Sequence, residues 1–519
     1  MKLKEIVKTS RSISIELEND SCVHAPFFYD VYVNGCLAIE QDNQNVISLY
    51  NLFPETKYRI EVKIQNDDAP LELTVKTKSE SVRLNVRRFG AKGDGQHLDS
   101  INIQAAIEAC PKDGSVYIPK GIYLCTPLFL KSNMTIELDQ EAVLIGHTDR
   151  SLYPILPGYT MTTDESDEYY LGTWEGNPLD SYASLITGIN VENVSIIGKG
   201  EFNGNGSEGD WWNEPKIKKG AWRPRTLFLN NCNNVIVHGI TVKNSPAWTV
   251  HPYFSKNLKF IDMKIENPKD SPNTDGLDPE SCENIEIIGV HFSVGDDCIA
   301  IKAGKLYMGR KMKTPSKNII IRNCHMQHGH GAVVIGSEMS GGVQNLDVER
   351  CIFEKTDRGL RIKTLRGRGK QGQIDNISFR NIQMLDVLTP FVMNMFYFCD
   401  PDGKTEYVWS KEKLAVTEDT PYLGRFLFEN IECNKSHVAA GFFAGLPEQP
   451  IERIEMRNIS VNFCDEAIED VPAMMSFCNP VSKQGVIAQY VSDLIMDNVT
   501  IEGNVGEKYI LNHVDKVTK

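Results

Sequence analysis

No two cysteines in this chain stand at C-x-x-C spacing. The thirteen present are scattered singly from Cys22 to Cys478, and an odd, dispersed set excludes a zinc ribbon and argues against a disulfide framework. Long apolar runs are lacking too: nowhere do about 18 apolar residues follow one another, so no membrane span and no membrane partner are expected. The opening MKLKEIVKTSRSISIELEND has no apolar stretch ending in small residues. With the unpaired cysteines this leads to the expectation of a cytoplasmic protein, or of a secreted one had a leader been removed. Positive charge is not in excess either. Fifty-five basic against 69 acidic side chains give a formal charge of -14, which argues against nucleic acid as a partner. A polyanionic ligand would have to be met by a local cluster of cations.

What remains is a globular composition, 41% hydrophobic and 24% charged over 519 residues, long enough for two domains or one repetitive architecture. Residues 1–82 alternate apolar and polar positions in short runs (SISIEL, DVYVNG, VISLYN, YRIEVKI, LELTVKT) separated by turn residues, the pattern of a small antiparallel β-sandwich. Within it NLFPETKYRIEV, with Leu52, Pro54 and Tyr58, resembles the tyrosine corner of fibronectin type III modules. In RRFGAKGDGQHLDSINIQAAIEAC that follows, Gly90, Gly93 and Gly95 supply turns. Asp99 is placed to cap a helix whose apolar positions Ile103, Ala106, Ile107 and Cys110 share a face.

From about residue 190 an Asn followed by alternating apolar positions recurs at Asn193, Asn234, Asn257, Asn284, Asn318, Asn345 and Asn376, intervals of roughly 20 to 50 residues that indicate a solenoid or a propeller. Later copies run through ERIEMRNISV and SDLIMDNVTI, where Arg453 and Asp493 replace the Asn. A leucine-rich repeat lacks its leucine signature here, and a propeller its Trp-Asp dipeptide. Coils of parallel sheet are therefore expected over residues 83–519, with the helix after Asp99 covering the open end.

Four segments carry candidate chemistry: SPNTDG with Asn273 and Asp275, VGDDCIAIK with Asp296, Asp297 and Lys302, HGHGAVVIGSEMSGG with His330 and Glu338, and GLRIK with Arg361 and Lys363. Their spacing approximates one coil each, and stacking at about 4.8 Å would gather them into one groove. Asp296 and Asp297 would diverge in a regular strand, so their joint use needs a bend, which Gly295 offers. Three crowded aspartates raise at least one carboxyl pKa and so place a protonated acid beside ionised bases. Trp248 and His251 of SPAWTVHP lie one coil earlier and are candidates to line the groove. CHMQHGHG lacks partner ligands at metal spacing, and no metal is expected.

In order and spacing, the NTD, DD, GHG and RIK segments resemble the signature of the polygalacturonase family of pectin-degrading glycoside hydrolases, over about residues 84–505. The resemblance implies an all-β fold, a right-handed parallel β-helix of the pectin lyase-like kind behind a small N-terminal β-sandwich. It implies hydrolysis of galacturonan or oligogalacturonides without a cofactor. Asp296 would be the general acid, Asp275 and Asp297 would activate water, giving inversion, and His330 would tune the acid. Arg361 and Lys363 would bind the galacturonate carboxylate, with Asn273, Lys302, Glu338, Trp248 and His251 as further substrate contacts. GDD, GSEMSGG and RIK together look most like bacterial exo-acting members. Two long aromatic excursions, at about 146–186 and 386–425, are expected to close one end of the groove, and Glu338 to repel a further anionic sugar there. The basic islands Lys216, Lys218, Lys219, Arg223, Arg225 and Arg366, Arg368, Lys370 are candidates to recruit an acidic polymer. Rival readings are endo action, cleavage of rhamnogalacturonan or xylogalacturonan on the same fold, a calcium-dependent pectate lyase, and a non-catalytic pectin-binding β-helix.

Overall fold

Alternation along Lys57–Ile64 buries Tyr58, Ile60, Val62 and Ile64 and leaves their neighbours outward, which is what a strand with one face on a core requires. A computed structural model describes residues 1–65, 69–399 and 401–519 of the chain. In it Lys57–Ile64 joins Cys36–Gln44, His24–Val33 and Leu71–Lys76 in an antiparallel sheet. A second sheet is built from Lys2–Lys8, Ile13–Glu18 and Val46–Leu49. Ile13, Ile15 and Leu17 of this sheet pack on Tyr29, Val31, Ile60 and Val62 of the other. The Tyr58 hydroxyl accepts the Phe53 N–H at 2.8 Å, tying the turn that precedes its strand.

Arg83–Asn85 is the first strand to join the large parallel sheet. The helix Ser100–Ala109 then lies over the end of the solenoid with Ile103, Ala106 and Ile107 buried, as expected. Asp99 does not cap it through its side chain. Its carboxylate instead accepts the N–H groups of Lys92 and Gly93, both at 2.7 Å, and so fixes the turn in which Gly90 and Gly93 take left-handed φ of 98° and 56°.

Beyond this helix the chain winds into the coils of a right-handed parallel β-helix, with strand after strand pairing in parallel. The recurrent asparagines mark the same corner of each coil. Asn284, Asn318, Asn345 and Asn376 each donate Nδ2 to the Oδ1 of the ladder Asn one coil before, at 2.8–3.0 Å. All sit at positive φ near 57°, a conformation Asn tolerates better than other non-glycine residues. Arg453 and Asp493 stand opposite one another in register and pair at 2.9 Å where the Asn is replaced. Among the described residues no helix is long and apolar enough to cross a membrane.

The N-terminal sandwich is fixed against the flank of the coils. Ile6, Val7 and Val46 pack on Ile236, Ile261 and Ile288. The Tyr50 hydroxyl donates to Asp262 at 2.7 Å, and Gly239 leaves the space that the tyrosine ring fills. Buried Glu16 receives Arg322, Arg350 and Asn323 at 3.0, 2.8 and 2.8 Å.

Candidate active site

One stack of strands positions the chemistry. Residues 277–280 bridge to 299–302, and Asp297–Ile301, Gly331–Gly336, Arg358–Lys363 and Thr389–Asn394 follow in parallel register. Asp296 lies in the bend just before its strand and Asp297 is the first strand residue, so the pair escapes the alternation that would separate it. Gly295 permits the bend because a Cβ there would meet the Ser271 and Pro268 carbonyl oxygens at 2.6 and 2.7 Å. Carboxylate oxygens of Asp275, Asp296 and Asp297 come together within 4.8 Å of one another.

They line a cavity of about 760 Å³, a size typical of small-ligand sites. Asn273, Lys302, His330, Glu338, Arg361, Lys363 and Trp248 line it as well. His251 does not. It is fully buried beneath Trp248, edge-on at 5.0 Å, with Nε2 on Glu280 at 2.9 Å. Burial pushes its imidazole well below the usual range, which makes it a neutral support for the Trp248 ring.

The three aspartates have opposed electrostatics. Burial would raise the Asp297 carboxyl, yet Lys363 at 2.7 Å and Arg361 at 3.1 Å carry it below its ordinary value and hold it ionised. Burial and the Asp297 charge push Asp296 upward, so it keeps its proton longer. Asp275 is pushed up strongly by burial, then by Asp278 and Asp296, against the single opposing ammonium of Lys302 at 3.5 Å. Lys302 also lies 3.4 Å from Asp278 and from Glu338, and its ammonium stands 4.2 Å over Trp248. His330 bonds Asp357 through Nδ1 at 2.7 Å; that bond raises the imidazole pKa, and Asp296 adds to the effect against burial.

Several expectations are corrected. Glu338 is not a bare repulsive carboxylate: burial alone would raise it, but Lys302 and other lysines bring it down to about 2, so its charge is compensated. The excursions do not close the same end. The first contributes Trp174, Glu175, Asn177 and Leu179 beside Trp222 and Trp248, whereas the second, of which residue 400 lies outside the described residues, contributes Tyr397 and Cys399 on the Lys363 side. Trp174 stacks on Trp222 at 4.7 Å and on Trp248 at 6.3 Å, nearly parallel to both. Of the second basic island, Arg366 is buried against Glu448 at 2.6 Å, Arg368 donates to the Ser337 carbonyl at 2.7 Å, and Lys370 pairs with Glu418 at 3.2 Å.

Other residues in the lining or buried behind it had no place in the sequence reading. Asp278 follows Asp275 at three residues and shares Lys302, a D-x-x-D spacing visible in SPNTDGLD. Asp357 stands four residues before Arg361. A wall at Asp470, Val471 and Met474 is clamped by Arg358, which donates to the Val471 and Pro472 carbonyls at 2.6 and 3.2 Å, and by Arg361 against the Met474 sulfur at 2.7 Å. Those contacts join residues more than a hundred apart, and no local signal announces them.

Comparison with known proteins agrees with this geometry. Residues 132–415 match the family model of Glycosyl hydrolases family 28, and residues 83–151 match Rhamnogalacturonase A/epimerase, pectate lyase-like. A probable polygalacturonase of Vitis vinifera is 31% identical over 392 residues, 73% of this chain and 74% of the relative. The family 28 exopolygalacturonase of Yersinia enterocolitica shares the fold over 99% of this chain and 98% of its own, with a TM-score of 0.70 at 21% identity. A hyperthermoactive exopolygalacturonase from Thermotoga maritima aligns with 81% of this chain and 92% of its own, with a TM-score of 0.64 at 26% identity.

Proposed function

The chain belongs to glycosyl hydrolase family 28, and on that premise we propose that it hydrolyses α-1,4 bonds of de-esterified galacturonan and oligogalacturonides, releasing units from the non-reducing end. The observation that carries the chemistry is the divergence of neighbouring carboxyls. Asp297 is held ionised by Lys363 and Arg361, while Asp296 beside it is pushed toward its protonated form. Glycoside hydrolysis needs such a division of labour.

In this reading Asp296 protonates the leaving glycosidic oxygen. Asp297 takes the proton of a water that it orients together with Asp275, as that water attacks the opposite face of the sugar. His330, held by Asp357, adds positive character beside Asp296, which opposes the upward push of burial and stabilises the carboxylate left once the acid has given up its proton. The inverting outcome does not rest on spacing: oxygens within 4.8 Å are tighter than the about 6.5–9.5 Å usual for inverting pairs. It rests on engagement. Both Asp297 oxygens are held by cations, Arg361 on Oδ1 and Lys363 on Oδ2, which weakens the carboxylate as a nucleophile toward an anomeric carbon while leaving each oxygen a lone pair to accept from the water.

In this reading the first excursion closes one end of the cavity, which supports exo action. The Trp174–Trp222–Trp248 stack and Asn177 form a wall there, which would admit a chain terminus and stop its interior. The Thermotoga maritima relative is named for exo action as well. The test is digestion of a defined oligogalacturonide followed by NMR of fresh product. Galacturonic acid should appear first, as the β-anomer, and Asp296→Asn should lose about 10²- to 10⁴-fold in turnover. An initial α-anomer excludes inversion, mid-chain products exclude exo action, and absence of new reducing ends excludes hydrolysis.

A further inference from the structure

Five cations lie between Lys216 and Arg225, and four are engaged within the protein. Lys218 faces Asp180 at 3.8 Å. Lys219 pairs with Glu214 at 3.6 Å and Asp210 at 3.8 Å, and donates to the Asn213 carbonyl at 3.0 Å. Arg223 is buried, with its guanidinium on the Pro246 and Pro272 carbonyls and on Asn273 Oδ1 at 2.7, 3.0 and 2.6 Å. Arg225 is enclosed among Trp248, Trp174 and Phe228, at 5.1, 5.4 and 5.8 Å. Lys216 alone of the five has no ion pair, side-chain hydrogen bond or ring contact among the described residues, and it lines the cavity with Trp174, Asn177 and Trp222.

The other cations of the cavity are committed elsewhere. Lys302 serves Asp275, Asp278 and Glu338, Arg361 and Lys363 serve Asp297, and Arg358 holds the 470–472 wall. Seven carboxyl side chains, of Glu175, Asp275, Asp296, Asp297, Glu338, Asp357 and Asp470, share the lining. An anionic sugar brought into that field gains nothing unless a cation meets its own charge. An exposed lysine suits the task, since its ammonium is a mobile point charge already in water and its approach to a carboxylate breaks no internal pair. The adjoining Trp222 ring, partly exposed on the outside of the stack, offers an apolar face for the sugar ring.

We infer that Lys216 is the specificity-determining residue for the closed end, pairing with the carboxylate of the terminal uronate; this rests on the exo-hydrolase reading above. Lys216→Ala and Lys216→Gln should be compared with wild type and with Lys218→Ala, whose lysine lies against Asp180. The substrates are trigalacturonate and the same trimer with only its non-reducing terminal carboxyl reduced to the alcohol, and galacturonate binding is followed by calorimetry. Either Lys216 variant should lose about 10- to 100-fold in kcat/KM on the acid trimer and in galacturonate affinity, the range of a charge-assisted hydrogen bond. The reduced trimer should be cleaved at the wild-type rate, and Lys218→Ala should change neither substrate. An unchanged acid preference in the Lys216 variants overturns the assignment while leaving hydrolysis intact. Lys216-dependent galacturonate binding by a wild type that cleaves neither trimer would instead retain the carboxylate site and remove the hydrolase.

Discussion

Asp297 and Lys363 meet at 2.7 Å although they are 66 residues apart in the chain. Gly331 stands opposite Asp297 on the coil between them. A Cβ there would collide with Val334 Cγ2 and crowd Asp297 Oδ1 at 3.2 Å, so the missing side chain leaves room for the aspartate carboxylate that both cations hold.

Removing the lysine should therefore act on pH dependence as well as on rate. With Lys363→Ala the Asp297 carboxyl loses the larger of the two attractions that oppose its burial, and its pKa rises. The base must be ionised, so the acid limb of the kcat profile should move to higher pH, with Arg361→Ala shifting it in the same direction by less. A limb that stays in place in both variants would show that Asp297 is not the group titrating in catalysis.

Stability should also report the crowding around Lys302. Burial, only partly opposed by Lys302, moves Asp278 from its ordinary 3.8 to about 7. A carboxyl raised in the folded state binds more protons there than when unfolded. Its contribution to stability is full below the unfolded pKa and is lost as pH rises toward the folded one. The melting temperature of the wild type should accordingly fall between about pH 4 and 7, and Asp278→Asn should flatten that slope. An equal slope in both proteins would mean that Asp278 is ionised throughout the range.

The periodic part of the molecule was legible because each coil repeats the same demand, an Asn at positive φ stacked on the previous Asn, and this repeats in sequence from Asn193 onward. The four catalytic segments were legible because each is a short contiguous stretch of the chain. The tryptophan stack was not, since Trp174, Trp222 and Trp248 sit on an excursion, a loop and a coil that only tertiary packing brings parallel. Cation clusters were misread for a related reason. Sequence shows Arg223 and Arg225 in one run of charges and Arg366 in another, whereas their partners, Asn273, the Trp rings and Glu448, are distant in the chain. His251 failed because alternation around a corner residue does not say which of Trp248 and His251 faces the cavity.

The junction of the N-terminal sandwich with the coils offers a separate test. Glu16 is 1% exposed and accepts from Arg322, Arg350 and Asn323. Truncating it strands two cations in a place closed to water, and loss of one member of such a buried group costs about 3–5 kcal/mol. Glu16→Ala should lower the unfolding free energy by that amount in denaturant titration, with early proteolytic release of the N-terminal sandwich. A loss below about 1 kcal/mol, the worth of a surface pair, would mean that water reaches the junction.

Whether the closed end governs the mode of cleavage can be decided at Trp174. Its ring lies 4.7 Å from Trp222, 5° from parallel, and its backbone pairs with Asn177. Gly176 in the same turn is held at φ 74° directly over the Glu338 side chain. The turn is thus anchored from two sides, by ring stacking and by its seat on Glu338. Trp174→Ala removes the ring from the middle of the stack, forfeiting its buried area and about 0.5–1.5 kcal/mol for each aromatic pair. The β-helix core beneath contains none of these atoms and should remain folded. With the wall lowered, a galacturonan chain could lie across the catalytic aspartates without presenting its end. Viscosity should then fall faster for each reducing end released than it does with wild type, and oligomers longer than the dimer should appear among early products. If Trp174→Ala is folded and active yet keeps the wild-type ratio of viscosity loss to reducing ends, the stack does not set the mode of action, and the limit on chain entry lies on the Tyr397 and Met474 side.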